Sequence, residues 1–361
     1  MKKICTVVGA RPQFIKLAVV SREIRKYFNE IIIHTGQHYD YNMSDIFFEE
    51  LDIPKPHYNL GVSGGSHGKM TGEMLIEIEK VLIMEKPDIM LLYGDTNSTL
   101  AGALSAVKLG IPVVHIEAGA RLGTLTSPEE INRIMTDSIS MYNLVCTQSG
   151  MDFLEKEGKL HTATLVGDPM YDAFLYYGTK NDGSELKNII DFNDEKVELP
   201  ENFYYLTCHR QENTDCEDKL FNILSAMNSL EYKTIYPVHP RSQKLVDEIC
   251  KKHKFENLIL TKPVGYLTSI SLVNKSKKII TDSGGLQREA FFAKKQCVLI
   301  LDFIVWPETM INNCNQLSKP IKEEILSKLN KKVDFTDNYN PFGDGKSALR
   351  ICEILKEKFN D

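Results

Sequence analysis

The sequence predicts an α/β protein built from two parallel-sheet domains, and three observations carry that expectation. Apolar runs of strand length alternate with amphipathic stretches of helix length along nearly the whole chain, which is the pattern of strand–helix units around buried parallel sheets. The 361 residues exceed the size at which a single core stops growing. The alternation breaks once, over residues 179–201, where charged and polar residues accompany Gly183 and Pro200, and then it resumes.

In order, the first half offers strands at 4–8, 30–34, 89–93, 113–117, 144–147 and 163–166. Amphipathic helices at 14–27, 72–84, 99–108, 129–140 and 149–157 separate them. The second half repeats the scheme with strands at 203–207, 234–238, 258–260, 278–281 and 297–301. The expected organisation is therefore an N-terminal domain over 1–178, a linker over 179–200 and a second domain over 201–343. The final segment, 344–361, carries a helix with no strand after it, free to pack back on the first domain.

Composition narrows the function. Hydrophobic content of 42% with 25% charged residues is that of an ordinary globular protein. A net charge of −6 without a basic cluster argues against a nucleic-acid groove. No apolar run approaches the roughly 18 residues that cross a bilayer. The apolar part of the N-terminus is too short for a signal peptide, so a cytoplasmic location is expected. The eight scattered cysteines form no CxxC pair and read as free thiols in a reducing compartment. There is no H-E-x-x-H or Walker A lysine motif, the loop after the first strand lacks G-x-G-x-x-G, and Ser283 has no G-x-S-x-G elbow. Metal, nicotinamide and serine-hydrolase chemistry are therefore unsupported, and no cofactor is expected.

Polar residues collect where predicted strands end, which is where ligands bind in open parallel sheets facing across a cleft. Arg11 and Lys16 follow the first strand, Gln37 and His38 the second, Asp95 the strand 89–93, and Glu117 ends the next. In the second half Arg210 follows His209, His239 ends another strand, and Thr281, Asp282, Ser283, Gly284 and Gly285 form a strand-to-helix turn. Free N–H groups at that turn and the helix dipole suit a phosphate. Glu289, about one helical turn in, would meet ribose hydroxyls. The same residues also suit a plain helix start, with Asp and Ser as caps and Gly for the turn. Together they suggest a division of labour: Asp95, Glu117 and one of Glu129 and Glu130 for proton transfer, Arg11, Arg210 and the turn for a diphosphate. The glycine-rich loop 61–68 lacks a clear preceding strand and reads as a flexible lid.

These residues carry a resemblance. GARPQFIKLAVV at 9–20, TGQHYDYNMS at 35–44, GDTNSTLAGALSA at 94–106, HIEAGARL at 115–122, SPEEINRIMTD at 127–137, CHRQENTD at 208–215, PVHPRS at 237–242 and TDSGGLQREAFF at 281–292 resemble the non-hydrolysing UDP-N-acetylglucosamine 2-epimerases. The match runs nearly end to end. It implies a GT-B-like pair of Rossmann-like domains and reversible C2 epimerisation of a UDP-N-acetylhexosamine, through elimination of UDP to a 2-acetamidoglucal and re-addition. It implies catalytic roles for Asp95, Glu117, Glu130 and His209. Arg11, Lys16, Arg133, Arg210, His239, Ser283, Gly284, Gly285 and Glu289 would bind substrate. It further implies a homodimer and a second UDP-N-acetylglucosamine as allosteric activator, to which Gln37, His38 and His239 would matter.

The chain departs from the family pattern at Leu301, Ile304 and Val305, where an Arg and a Thr-Glu pair are common, at 122–127, and at Arg288. Rival readings follow: the same reaction on a diacetamido-uronate or deoxy-amino sugar, a hydrolysing epimerase, a glycosyltransferase of the same architecture, or a nucleotide-sugar-binding protein without activity.

Overall fold

A computed structural model describes residues 1–37, 45–180 and 182–359. His38 and the rest of its motif as far as position 44 lie outside the described residues. Two compact units divide the chain: Met1–Leu175 with Asn340–Asp361, and Tyr176–Tyr339. Among the described residues no helix is long and apolar enough to cross a membrane.

The first unit holds β1 (Lys3–Val8), β2 (Asn29–His34), β3 (Tyr58–Asn59), β4 (Ile89–Tyr93), β5 (Val113–Ala118), β6 (Tyr142–Val145) and β7 (Ala163–Leu165). Its helices are α1 (Arg11–Ile24), α2 (Asp45–Glu50), α3 (His67–Glu85), α4 (Asn97–Lys108), α5 (Pro128–Ile139), α6 (Gln148–Lys156) and α7 (Pro169–Lys180), the last running into the second unit. The sheet order is β3-β2-β1-β4-β5-β6-β7, and every pairing is parallel. Residues of β1, β4 and β5 are buried almost without exception, as expected where helices cover both faces.

The second unit holds β8 (Phe203–Thr207), β9 (Lys233–Pro237), β10 (Leu258–Thr261), β11 (Ile279–Thr281), β12 (Cys297–Leu299) and β13 (Asn315–Leu317). Helices α8 (Gln211–Thr214), α9 (Glu217–Asn228), α10 (Pro240–Lys252), α11 (Tyr266–Lys275), α12 (Gly284–Phe292) and α13 (Lys322–Leu329) connect or follow them. The order is β10-β9-β8-β11-β12-β13, again all parallel. Both sheets therefore reverse their winding once, between β1 and β4 and between β8 and β11. In such sheets the crevice at that reversal, at the carboxyl ends of the strands, receives ligands. Residues 182–201 belong to this unit and include a short 3₁₀ turn, Ser184–Asn188, and a bridge between Ile190 and Lys196.

Two strands lie outside the sequence expectation, both at sheet edges. β3 spans two residues and precedes the 61–68 loop, which corrects the reading of that loop as having no strand before it. β13 is built from Asn315, Gln316 and Leu317, whose polar side chains find carbonyl partners: Asn315 donates to Gln287 O at 2.9 Å and Gln316 to Lys328 O at 3.1 Å. Neither stretch contains an apolar run, so hydrophobic patterning misses both. The helix expected from 72 begins at His67, because Ser66 caps it by accepting from Lys69 N at 3.4 Å. α14 (Ser347–Phe359) returns to the first unit and packs on α1. Asp172 receives its first turn, accepting from Ser347 N at 3.1 Å and Ala348 N at 2.7 Å. Burial raises the Asp172 carboxyl to about 6 despite those donors.

Candidate active site

In the first unit the winding reversal brings the end of β1 beside the end of β4. Gln13, in the first turn of α1, ties them: its Oε1 accepts from Gly9 N at 2.8 Å and Ala10 N at 3.0 Å, and its Nε2 donates to Tyr93 O at 2.9 Å. A Cβ on Gly9 would overlap the hydroxyls of Thr35 and Ser98, so only glycine permits the approach. Gly94, at φ +65°, turns the chain out of β4 and presents Asp95.

Glu117 is the centre of this half. It is buried, and its φ of +67° lies in the left-handed region, where β5 slips register against β6 between Ile116 and Ala118. A bulge with a non-glycine left-handed residue is a strained arrangement of the kind found where a side chain is re-aimed for function. Lys16 Nζ lies 2.5 Å from Glu117 Oε2, and Arg133 Nη2 lies 3.3 Å from Glu117 Oε1 and 2.5 Å from Asp95 Oδ2. Arg133 also donates to the Glu117 carbonyl. Burial works against the Arg133 charge, but Asp95, Glu117 and Asp137 outweigh it and raise its proton affinity further. Glu130 accepts from Leu122 N at 2.9 Å and Gly123 N at 3.0 Å, which ties the 122–127 segment to α5.

Of the residues expected to touch substrate from this unit, Lys16 and Arg133 are almost wholly buried and engaged with carboxylates. Their partners here are the catalytic candidates Glu117 and Asp95. Arg11 sits over the Phe47 ring at 4.9 Å. Gln37 Oε1 accepts from Ser98 Oγ at 2.9 Å. Glu117, Cys146 and Asp168 bring ligand atoms within 4.8 Å of one another. The Lys16 ammonium already supplies positive charge to Glu117, and we assign no metal to the cluster.

In the second unit the equivalent reversal lies between β8 and β11, and Asp282 fills it. Its buried carboxylate accepts from His209 N at 3.0 Å, Arg210 N at 2.9 Å and Asn213 Nδ2 at 3.2 Å, with His209 Nδ1 at 3.1 Å. Burial opposes its charge, yet the His209 charge and these hydrogen bonds hold the carboxyl well below the usual range. The half-exposed His209 is thereby oriented, and Arg210 Nε donates to Asp282 O at 2.9 Å while its guanidinium stacks 5.1 Å from the Phe303 ring centre. His239 caps α10, accepting from Arg241 N at 3.2 Å, with its ring 6.2 Å from that of His209. Ser283 caps α12, Gly284 and Gly285 form its first turn, and Glu289 is buried within it. The second unit thus gathers a helix N-terminus, an Arg and a His on one buried carboxylate, a suitable cradle for a nucleotide diphosphate.

Asp137 and Gln13 escaped the sequence reading as site residues, Asp282 entered it only as a cap within the phosphate turn, and α5 shows what signal was available. Its buried positions are Glu130, Asn132, Arg133, Thr136 and Asp137, whereas Ile131 and Met135 are exposed. A helix that turns its polar face inward is serving a charged site rather than a hydrophobic core.

Comparison with known proteins decides the family. The family model described as UDP-N-acetylglucosamine 2-epimerase matches residues 22–356. The chain belongs to that family. It is 47% identical to a UDP-N-acetylglucosamine 2-epimerase homolog of Methanococcus maripaludis, over 98% of this chain and 99% of the relative. It is 42% identical to the UDP-2,3-diacetamido-2,3-dideoxy-D-glucuronate 2-epimerase of Pseudomonas aeruginosa, over 98% and 99%. The crystal structure of Methanocaldococcus jannaschii UDP-GlcNAc 2-epimerase in complex with UDP-GlcNAc and UDP superposes with a TM-score of 0.88 at 39% identity, over 98% and 99% of the two chains.

Membership makes this chain an isomerase acting at C2 of a UDP-sugar, built from two parallel-sheet α/β units of the GT-B-like class. Among the departures near α12, Ile304 is exposed and the others are packed. Leu301 is buried, Val305 lies 3.7 Å from where a Cβ on Gly284 would be, and Arg288 stacks 4.2 Å from the Trp306 ring centre.

Proposed function

We propose that this epimerase interconverts UDP-N-acetylglucosamine and UDP-N-acetylmannosamine, with Glu117 and Asp95 as the proton-transfer pair. The observation that carries this reading is Glu117 itself: a buried carboxylate at a left-handed bulge, gripped by Lys16 and Arg133 beside Asp95. In the forward direction the C2–H and C1–O bonds break, a C1=C2 double bond forms, and UDP leaves with the C1–O electron pair. The proton then returns to C2 from the opposite face as UDP oxygen re-adds to C1. Two carboxylates differently placed relative to one cation suit removal and return of a proton. Glu130 supports them by holding the 122–127 loop. Ser283, Gly284 and Gly285 take the diphosphate, Arg210 and His209 the charge that develops on the leaving oxygen, and Glu289 the ribose. Arg11 and His239 add cationic or hydrogen-bonding contacts to substrate.

The Pseudomonas relative supports a second reading, in which a diacetamido-uronate replaces N-acetylglucosamine. A homodimer with a second UDP-N-acetylglucosamine as activator completes the proposal, to be read from sedimentation and from curvature in the substrate-rate plot.

Incubation with UDP-N-acetylglucosamine in deuterium oxide, followed by NMR, tests the reaction. The expected result is deuterium at C2 and an equilibrium with the manno isomer. Free sugar accumulating with UDP would mean hydrolysis. No exchange with this substrate, but exchange with the diacetamido-uronate, would establish the second reading.

A further inference from the structure

His115 lies on β5, two residues before Glu117, and is fully buried. Its Nε2 is 2.6 Å from Gly94 O and its Nδ1 is 2.7 Å from Asp137 Oδ1. A carbonyl oxygen can only accept, and so can an ionised carboxylate. Asp137 is held ionised: its other oxygen accepts from Gly119 N at 3.1 Å and pairs with Arg121 Nη1 at 2.7 Å. Burial alone would favour its neutral form, but His115, Arg121 and Arg133 overcome that and keep the carboxyl below the usual range. A neutral imidazole has one N–H and cannot donate to both partners.

We infer that His115 is a fixed imidazolium and a positioning residue, which holds the Gly94 carbonyl, and with it the Asp95 turn, against β5 beside Glu117. Around it Lys16, Arg121 and Arg133 pair with Asp95, Glu117, Asp137 and Glu157, and Lys159 also reaches Glu157 at 3.6 Å. The groups near it come from several elements: Gly94 and Asp95 from the turn after β4, Glu117 from β5, Arg121 from the segment after it, Asp137 and Arg133 from α5. Uncharged Asn143 lies opposite on β6 and donates to Asp137 O at 3.0 Å. A carbonyl displaced by about an ångström would misplace Asp95 enough to slow proton transfer while leaving nucleotide contacts intact.

This inference rests on the assignment of Asp95 and Glu117 as the proton-transfer pair, and its test separates the two. Protein labelled with ¹⁵N-histidine, the His115 signals assigned by their loss in His115→Gln, should show protons on both ring nitrogens of His115 at pH 7. His115→Gln, which can donate only from one side, should lower kcat for C2 exchange by roughly 10- to 100-fold with KM changed far less. An unprotonated ring nitrogen in the wild type, or an unchanged kcat, would overturn it. If the variant does not fold, substituting the other eight histidines one at a time assigns their signals, and the signals left over, those of His115, still decide the charge state. A wild type that exchanges no C2 proton would sink the functional reading and leave the spectrum to judge His115 alone.

Discussion

Arg133 bridges a carboxylate on β5 and one in the turn after β4: one guanidinium nitrogen, Nη2, reaches Asp95 Oδ2 at 2.5 Å and Glu117 Oε1 at 3.3 Å. It holds the two acids at a fixed separation and keeps them from meeting as bare like charges. Replacement by methionine should preserve much of the packing volume but leave both carboxylates facing an apolar group. Loss of one partner of a buried pair costs about 3–5 kcal/mol. Arg133→Met should therefore unfold well below the wild-type temperature in a thermal melt and lose turnover. Arg133→Lys should recover part of the stability and little of the turnover, because one ammonium nitrogen cannot hold both acids and also replace the Arg133 Nη1 hydrogen bond to Glu117 O.

Glu117→Gln separates proton transfer from nucleotide binding. Removal of a proton-transfer group typically costs 10²–10⁴-fold in rate. UDP affinity, measured by calorimetry, should stay near the wild-type value because the residues proposed for the diphosphate lie on α12 and after β8. The Lys16 ammonium also loses its partner at 2.5 Å, so the melting temperature should fall with the rate. Unchanged turnover would remove Glu117 from the catalytic pair.

Asp282→Asn addresses the second unit. The folded Asp282 carboxyl is depressed, so the folded state binds its proton less readily than the unfolded chain. Its contribution to stability is fully present above the ordinary aspartate range, near pH 4, and is lost as pH falls below it. The variant should be less stable than wild type at pH 7, and the gap should close in acid. His209 loses its anionic partner in the variant, so kcat should fall as well.

Glu30→Gln should act in the opposite sense. Glu30 is buried on β2, where burial raises its carboxyl despite hydrogen bonds from Ser21 and from Thr6 at 2.8 Å. A raised folded value means its stabilising contribution is complete below the unfolded value, near pH 4, and declines as pH rises through the folded one. The neutral amide avoids that decline. Its melting temperature should exceed the wild type by about 2–4 °C at pH 8, for ~1 kcal/mol, and match or fall below it at pH 4.

The order of strands and helices was legible in the sequence because buried parallel strands are continuous apolar runs and the helices between them are amphipathic. Such local signals also exposed the strand ends where Asp95, Glu117, His209, Arg210 and Ser283 stand, since a polar residue after an apolar run is visible without tertiary information. The pairing of β1 with β4 and of β8 with β11 was not legible, because it joins strands some 80 residues apart. That pairing decided which groups meet. It set Arg133 and Lys16 against the acids, made Asp282 the organiser of His209 and Arg210, and brought Asp137 onto His115. The left-handed turn at Glu117 also came from the tertiary structure, since a glutamate adopts it only when surrounding partners compensate for the strain.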